Sequence, residues 1–96
     1  MKHDLILNDF SDFLEHPFPV SAGELTLSLV LVETKEVPGG LPGGRQPFTL
    51  LFRGPARPRL PQATYDFNHP KHGALSIFIV PVGADAEGTL YEAVFS

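Results

Sequence analysis

The stretch ATYDFNHPKHGALSIFIVPV, residues 63–82, decides the fold. Apolar and polar side chains alternate over 63–68, which is the period of a strand with one buried face. Residues 69–73 hold a proline suited to the second position of a type I turn and a glycine suited to a left-handed backbone. A second strand pattern occupies 74–82 and is expected to end at Pro81. The segment therefore predicts an antiparallel β-hairpin.

The same two-residue period recurs on both sides of this hairpin. It runs over residues 18–20, 24–36, 47–54 and 89–96. Within the longest of these, Val30 and Val32 make the second face apolar as well, which is typical of a central strand covered on both sides. The sequence therefore predicts about six strands.

Glycine and proline explain how these strands are joined. The 96 residues include nine glycines and ten prolines, a density that excludes long helices and favours short strands and turns. Residues 38–46 are predicted to be a flexible loop. Residues 55–62 are predicted to be an extended connection, because their prolines do not suit a central strand. The last loop is predicted over 83–88.

One helix is predicted, over residues 5–15. Asn8 or Asp9 is expected to cap it, and a phenylalanine-rich face recurs at a spacing of three to four residues. Pro17 is expected to end it. A helix this short is not stable alone, so its apolar face must pack on the strands.

Together these patterns predict a single all-β domain over residues 1–96. We expect a small antiparallel six-stranded barrel or a curved sandwich with one short amino-terminal helix. The first strands are assigned to 18–36 and the remaining strands to 47–95. The aromatic side chains of the strands are expected to fill the core; they are Phe48, Phe52, Tyr65, Phe67, Phe78, Tyr91 and Phe95.

Membrane and export signals are not apparent in the sequence. Asp4, Asp9 and Asp12 interrupt the region where a signal peptide needs an unbroken apolar stretch. The longest apolar runs are far shorter than the ~20 residues of a membrane-spanning helix. We therefore expect a cytoplasmic protein without a membrane partner.

The charge of the chain is strongly polarised. The net charge is −4, yet the segment 37–65 carries four arginines and no acidic residue. Three of these arginines, Arg53, Arg57 and Arg59, are predicted to form a contact surface for another protein. Nucleic acid is disfavoured as the partner, because the chain is acidic and its strand phenylalanines fall on the face predicted to be buried. Self-association remains open.

No motif for catalysis, cofactor binding or metal binding is recognised. The chain has no cysteine, no nucleophile elbow and no phosphate-binding glycine loop, so no catalytic, cofactor or metal residue is assigned. His69 and His72 have a spacing found in some metal sites, but no further ligand accompanies them in the sequence. They are predicted to be solvent-exposed turn residues.

An alternative interpretation places a pocket around Tyr65, Tyr91 and Arg53. Such a pocket would make the protein a small enzyme or a small-molecule binder. The two tyrosines are nonetheless better suited to structural hydrogen bonds at the barrel rim than to catalysis.

Four segments resemble an uncharacterised family of short bacterial and phage proteins, a domain of unknown function. They are PFTLLFRGP (47–55), LPQATY (60–65), FIVPVG (78–83) and YEAVF (91–95), and the resemblance extends to Phe13. This chain has Thr49 where the family pattern has serine and Ala63 where it has glycine, so only local geometry departs from the pattern.

The resemblance implies no known activity, cofactor or catalytic residue. It implies an association with phage-tail-collar-type proteins, which such chains often neighbour. We therefore expect a non-enzymatic structural or protein-interaction module that is accessory to a phage-tail-like assembly.

Overall fold

Six strands and one short helix are present in the computed structural model, which describes residues 7–38 and 46–95. The elements in chain order are α1 (Asn8–Ser11), β1 (Pro17–Ala22), β2 (Leu25–Glu36), β3 (Phe48–Gly54), β4 (Ala63–His69), β5 (Gly73–Asp85) and β6 (Gly88–Phe95). The predicted hairpin is formed by β4 and β5, whose register runs from Ala63 opposite Ile79 to His69 opposite Gly73.

The strands close into a barrel in the order β1-β2-β3-β6-β5-β4, and every neighbouring pair is antiparallel. The all-β prediction is therefore confirmed, and the barrel is the correct one of its two alternatives. Closure depends on a short contact between β1 and β4, where only Val20 opposite Phe67 and Ser21 opposite Asp66 are paired.

The barrel is filled by its own side chains. Alternate residues of each strand point inward, which is the geometry that a small barrel needs to bury a core. The buried apolar residues are Phe10, Phe18, Val20, Leu29, Leu31, Phe48, Leu50, Phe52, Leu60, Phe67, Ile77, Ile79, Tyr91 and Ala93. The prediction that Phe78 belongs to this core is wrong: it is 51% exposed, because it alternates with the inward-facing Ile77 and Ile79.

Among the described residues, which exclude 5 and 6, the amino-terminal helix is shorter than the predicted range 5–15. It spans only Asn8–Ser11, and no side chain caps it, so the predicted capping by Asn8 or Asp9 is also wrong. The cause is a backbone contact just after the helix. Glu15 adopts a positive φ of 66°, and its N–H donates to the Leu31 carbonyl at 2.7 Å. The chain is therefore already bonded to β2 where the longer helix would have continued.

The short helix closes one end of the barrel, as its apolar face predicted. The ring of Phe10 is fully buried and lies against the rings of Phe18, Phe48, Phe95 and His69, with centroids 5.3–6.4 Å apart. No helix in the described ranges is long and apolar enough to cross a bilayer.

β5 continues beyond the point where the sequence predicted its end. It passes Pro81 and ends at Asp85, so the loop predicted over 83–88 is a tight turn between Asp85 and Gly88. The register shifts between Pro81 and Gly83. Such a bulge accommodates a proline, because the strand there does not need every N–H for its ladder.

The predicted loop 38–46 lies outside the described residues, except for its two ends. The residues that flank the loop are hydrogen-bonded to each other, because the Val37 N–H donates to the Pro47 carbonyl at 2.9 Å. The Gln46 side chain also donates to the Val37 carbonyl at 2.6 Å. β2 and β3 are paired as a hairpin from Glu36 opposite Phe48.

Candidate functional site

The connection between β3 and β4, residues 55–62, is fixed across the other end of the barrel. Leu60 is buried, and its N–H donates to the Tyr91 hydroxyl at 2.8 Å. The Tyr65 hydroxyl donates to the Pro61 carbonyl at 2.6 Å. Both tyrosines therefore make the structural hydrogen bonds that the sequence predicted. The connection is held to the barrel at two successive residues.

Arg53, the first of the three predicted contact arginines, points outward from β3 and is already paired. Its guanidinium lies 2.8 Å from Asp85 and 3.6 Å from Glu87. The hydrogen bond from Arg53 holds the pKa of Asp85 below its usual range and raises the pKa of Arg53 itself. Asp85 also accepts hydrogen bonds from the N–H groups of Glu87 and Gly88. Arg53 therefore ties β3 to the β5–β6 turn.

Arg57 and Arg59 differ from Arg53 in their surroundings. Both side chains are exposed in the anchored connection, on either side of Pro58. Neither has an acidic side chain within ion-pair distance among the described residues. Within ranges 7–38 and 46–95, the protein therefore presents two cations without counter-charges on a connection whose position is fixed by Leu60 and Pro61.

The alternative pocket around Tyr65, Tyr91 and Arg53 is not assembled. Tyr91 is fully buried inside the barrel, and its hydroxyl is bonded to Leu60. Arg53 lies on the outer face, where it lines an open recess with Glu15 and Glu87. A side chain buried in the core and one on the outer surface do not face a common cavity.

The prediction that His69 and His72 are solvent-exposed turn residues is wrong. His69 is only 2% exposed and lies among the rings of Phe10, Phe13 and Phe18. Its Nδ1 accepts from the N–H groups of Lys71 and His72 at 3.0 and 3.2 Å, so the ring hydrogen is on Nε2. That nitrogen donates to the backbone carbonyl of Asp9 at 2.5 Å.

His72 completes the link between this turn and the helix. Its Nε2 lies 3.0 Å from the Asp9 carboxylate, and it is partly buried. We call Asp9, His69 and His72 the histidine clasp, since together they hold α1 to the β4–β5 hairpin. Burial lowers the pKa of His69, and its hydrogen bond to the Asp9 carbonyl only partly opposes that effect.

The clasp has no direct sign in the sequence, because Asp9 is 60 residues from His69. Only the local part of the clasp could have been predicted. His69 lies just before the turn, so its ring can accept hydrogen bonds from the N–H groups of Lys71 and His72. In the described part of the chain, no three potential metal ligands come together.

The comparisons with known proteins give one finding. Neither the curated proteins nor the solved structures include a significant match. A family model does match, over residues 5–95, and its description is a domain of unknown function, DUF6916. The resemblance to an uncharacterised family is thereby confirmed: this chain belongs to the DUF6916 family.

Proposed function

We propose that this protein is a non-enzymatic protein-interaction module that binds an acidic surface of another protein through Arg57 and Arg59. The observation that carries the proposal is a pair of exposed arginines, without counter-charges among the described residues, on an anchored connection. The interior of the barrel is filled with side chains, so recognition is assigned to the outside.

Physical chemistry supports arginines in this setting. A guanidinium binds carboxylates through two parallel hydrogen bonds, which gives both attraction and orientation. Anchoring the connection before binding reduces the conformational entropy that is lost when the complex forms. Arg53 has a supporting role in the proposal, because its charge is already engaged by Asp85 and Glu87.

The proposed context is a phage-tail-like assembly in the cytoplasm, in which this chain is an accessory component. The support for this context is what the resemblance of four sequence segments implies, namely an association with phage-tail-collar-type proteins. The first candidate partner is accordingly a phage-tail-collar-type protein.

The test is binding of the purified chain to a phage-tail-collar-type protein. We expect binding that weakens as the salt concentration rises from about 0.05 M to about 0.5 M, because exposed charges are screened. The double variant R57E/R59E should bind at least about tenfold more weakly. A Lys71→Glu variant reverses an exposed charge outside the connection and should bind as the wild type does.

Two results would contradict the proposal. One is the absence of binding at low salt. The other is equal binding by the wild type and R57E/R59E, with both variants folded as judged by circular dichroism.

A further inference from the structure

A shallow groove crosses the outer face of β2, β3 and β6. Its volume is about 170 Å³, and its lining includes Glu33, Leu51 and Glu92, with Lys35 and Thr49 towards one end. The strand register places Leu51 opposite Glu33 on one side and opposite Glu92 on the other. The groove therefore has an apolar floor between two carboxylates.

These carboxylates lack ion-pair partners in the described part of the chain. Neither Glu33 nor Glu92 has a cationic side chain within ion-pair distance there, although Lys35 lines the same groove. Two strand spacings separate their backbones by about 9–10 Å, which leaves room for a guanidinium between them. An arginine suits this groove, because its aliphatic stem can cover Leu51 while its head meets the acids.

The same chain carries arginines of the required kind. Arg57 and Arg59 are exposed and form no ion pair with another described residue, and their connection is fixed at the barrel end by Leu60 and Pro61. In a single molecule, neither arginine forms an ion pair with Glu33 or Glu92. The connection is positively charged and the groove carries two carboxylates, so the two surfaces are complementary. Every copy of the chain has one of each surface.

We infer that the groove binds the Arg57–Arg59 connection of a second copy of this chain. The inference rests on the proposed function, since it names a partner for the same arginines. The two surfaces are different, so the contact is heterologous and copies join head to tail into a ring or an open chain. Lys35 repels the incoming arginines and weakens the contact.

The test is sedimentation velocity over a protein concentration series up to about 1 mM, a range that detects dissociation constants as weak as about 1 mM. We expect wild-type self-association at about 0.05 M salt and its loss at about 0.5 M. Two neutralised variants remove one surface each: R57S/R59S and E33Q/E92Q. Each of these variants, measured alone, should be monomeric at the protein and salt concentrations at which the wild type associates.

An equimolar mixture of the two variants gives the sharpest result. The intact groove of one variant can bind the intact connection of the other, so dimers should form and longer chains should not. The variant Lys35→Gln should associate at least about threefold more tightly than the wild type, since it removes one repulsive charge. The control D12N/E24Q removes two exposed acids outside the groove and should associate as the wild type does.

A monomeric wild type at every concentration would overturn the inference, as would variants that associate like the wild type or a mixture that stays monomeric. If the wild type is monomeric but binds a phage-tail-collar-type protein through Arg57 and Arg59, the inference fails and the proposed function stands. If self-association persists in R57S/R59S, the groove has a different occupant and the inference is again overturned.

Discussion

At the scale of the single residue, the closest packing constraint in the barrel is at Gly88. Its φ is 150°, and a Cβ built there would overlap the carbonyl oxygen of Gly54 on β3. The obstacle is backbone, which cannot rotate away as a side chain would. This approach of β6 to β3 lies beside Asp85, whose carboxylate accepts from the Gly88 N–H.

We therefore expect Gly88→Ala to lower the free energy of unfolding by about 2 kcal/mol or more. The matched control is Gly83→Ala on β5, where nothing lies within 4 Å of the added Cβ. The control should change stability by less than about 0.5 kcal/mol. Urea denaturation of both variants gives the comparison, and equal losses would contradict the steric explanation.

The two tyrosines make a second comparison between a buried and an exposed hydrogen bond. Tyr91→Phe leaves the buried N–H of Leu60 without its acceptor, and such an unpaired group costs about 1–3 kcal/mol. Tyr65→Phe removes a hydrogen bond to Pro61 at an exposed site, where water replaces it, so the cost should be below about 1 kcal/mol. Thermal or urea unfolding should rank the two variants in this order, and the reverse order would contradict it.

At the scale of the element, the histidine clasp makes the packing of α1 depend on pH. His69 has a folded-state pKa below its ordinary value of 6.5, and the charged groups that face it are Asp9, Lys71 and His72. Well above pH 6.5 the histidine is neutral whether the chain is folded or unfolded. As the pH falls towards 6.5 and then below it, the unfolded chain takes up a proton more readily than the folded one, so stability decreases.

We expect the free energy of unfolding to fall as the pH is lowered from about 7.5 through 6.5, by about 1.4 kcal/mol per unit of pKa shift at most. In His69→Asn the fall should be smaller, because the amide can still accept from the turn N–H groups but does not titrate. His16→Asn removes an exposed histidine and should keep the wild-type fall. Equal pH dependence in wild type and His69→Asn would show that His69 is not responsible.

The elements also show how far sequence patterns reach. The β4–β5 hairpin could be predicted because its signals, alternation and a proline–glycine turn, are local. The length of β5 could not, since the bulge after Pro81 depends on pairing with β6. The helix was overestimated for a related reason: its end is set by the bond from Glu15 to Leu31 on a distant strand.

At the scale of the whole molecule, the barrel is unevenly closed. β3 is paired with β6 along its full length and with β2 from Phe48 to Arg53, whereas β1 and β4 share only two residue pairs. Local opening begins at the weakest contacts in a fold. We expect native-state hydrogen exchange to be slowest in β3 and at least about tenfold faster where β1 meets β4. Uniform protection around the barrel would contradict this order.

The candidate surfaces differ in how far they could be predicted from the sequence. Arg57 and Arg59 could be singled out from charge alone, because the segment that contains them has no acid. That Arg53 is paired with Asp85 could not, since 32 residues separate them. The groove between Glu33 and Glu92 depends on the register of three strands, which only the closed barrel defines.

The most direct measurement is a titration of the isotope-labelled chain with the proposed partner, a phage-tail-collar-type protein, monitored by nuclear magnetic resonance. A filled barrel that binds through its anchored basic connection predicts the largest signal changes at Arg57, Arg59 and residues 55–62, with their loss at about 0.5 M salt. Changes that spare both arginines and fall instead on Tyr65, Tyr91 and the barrel interior would contradict it.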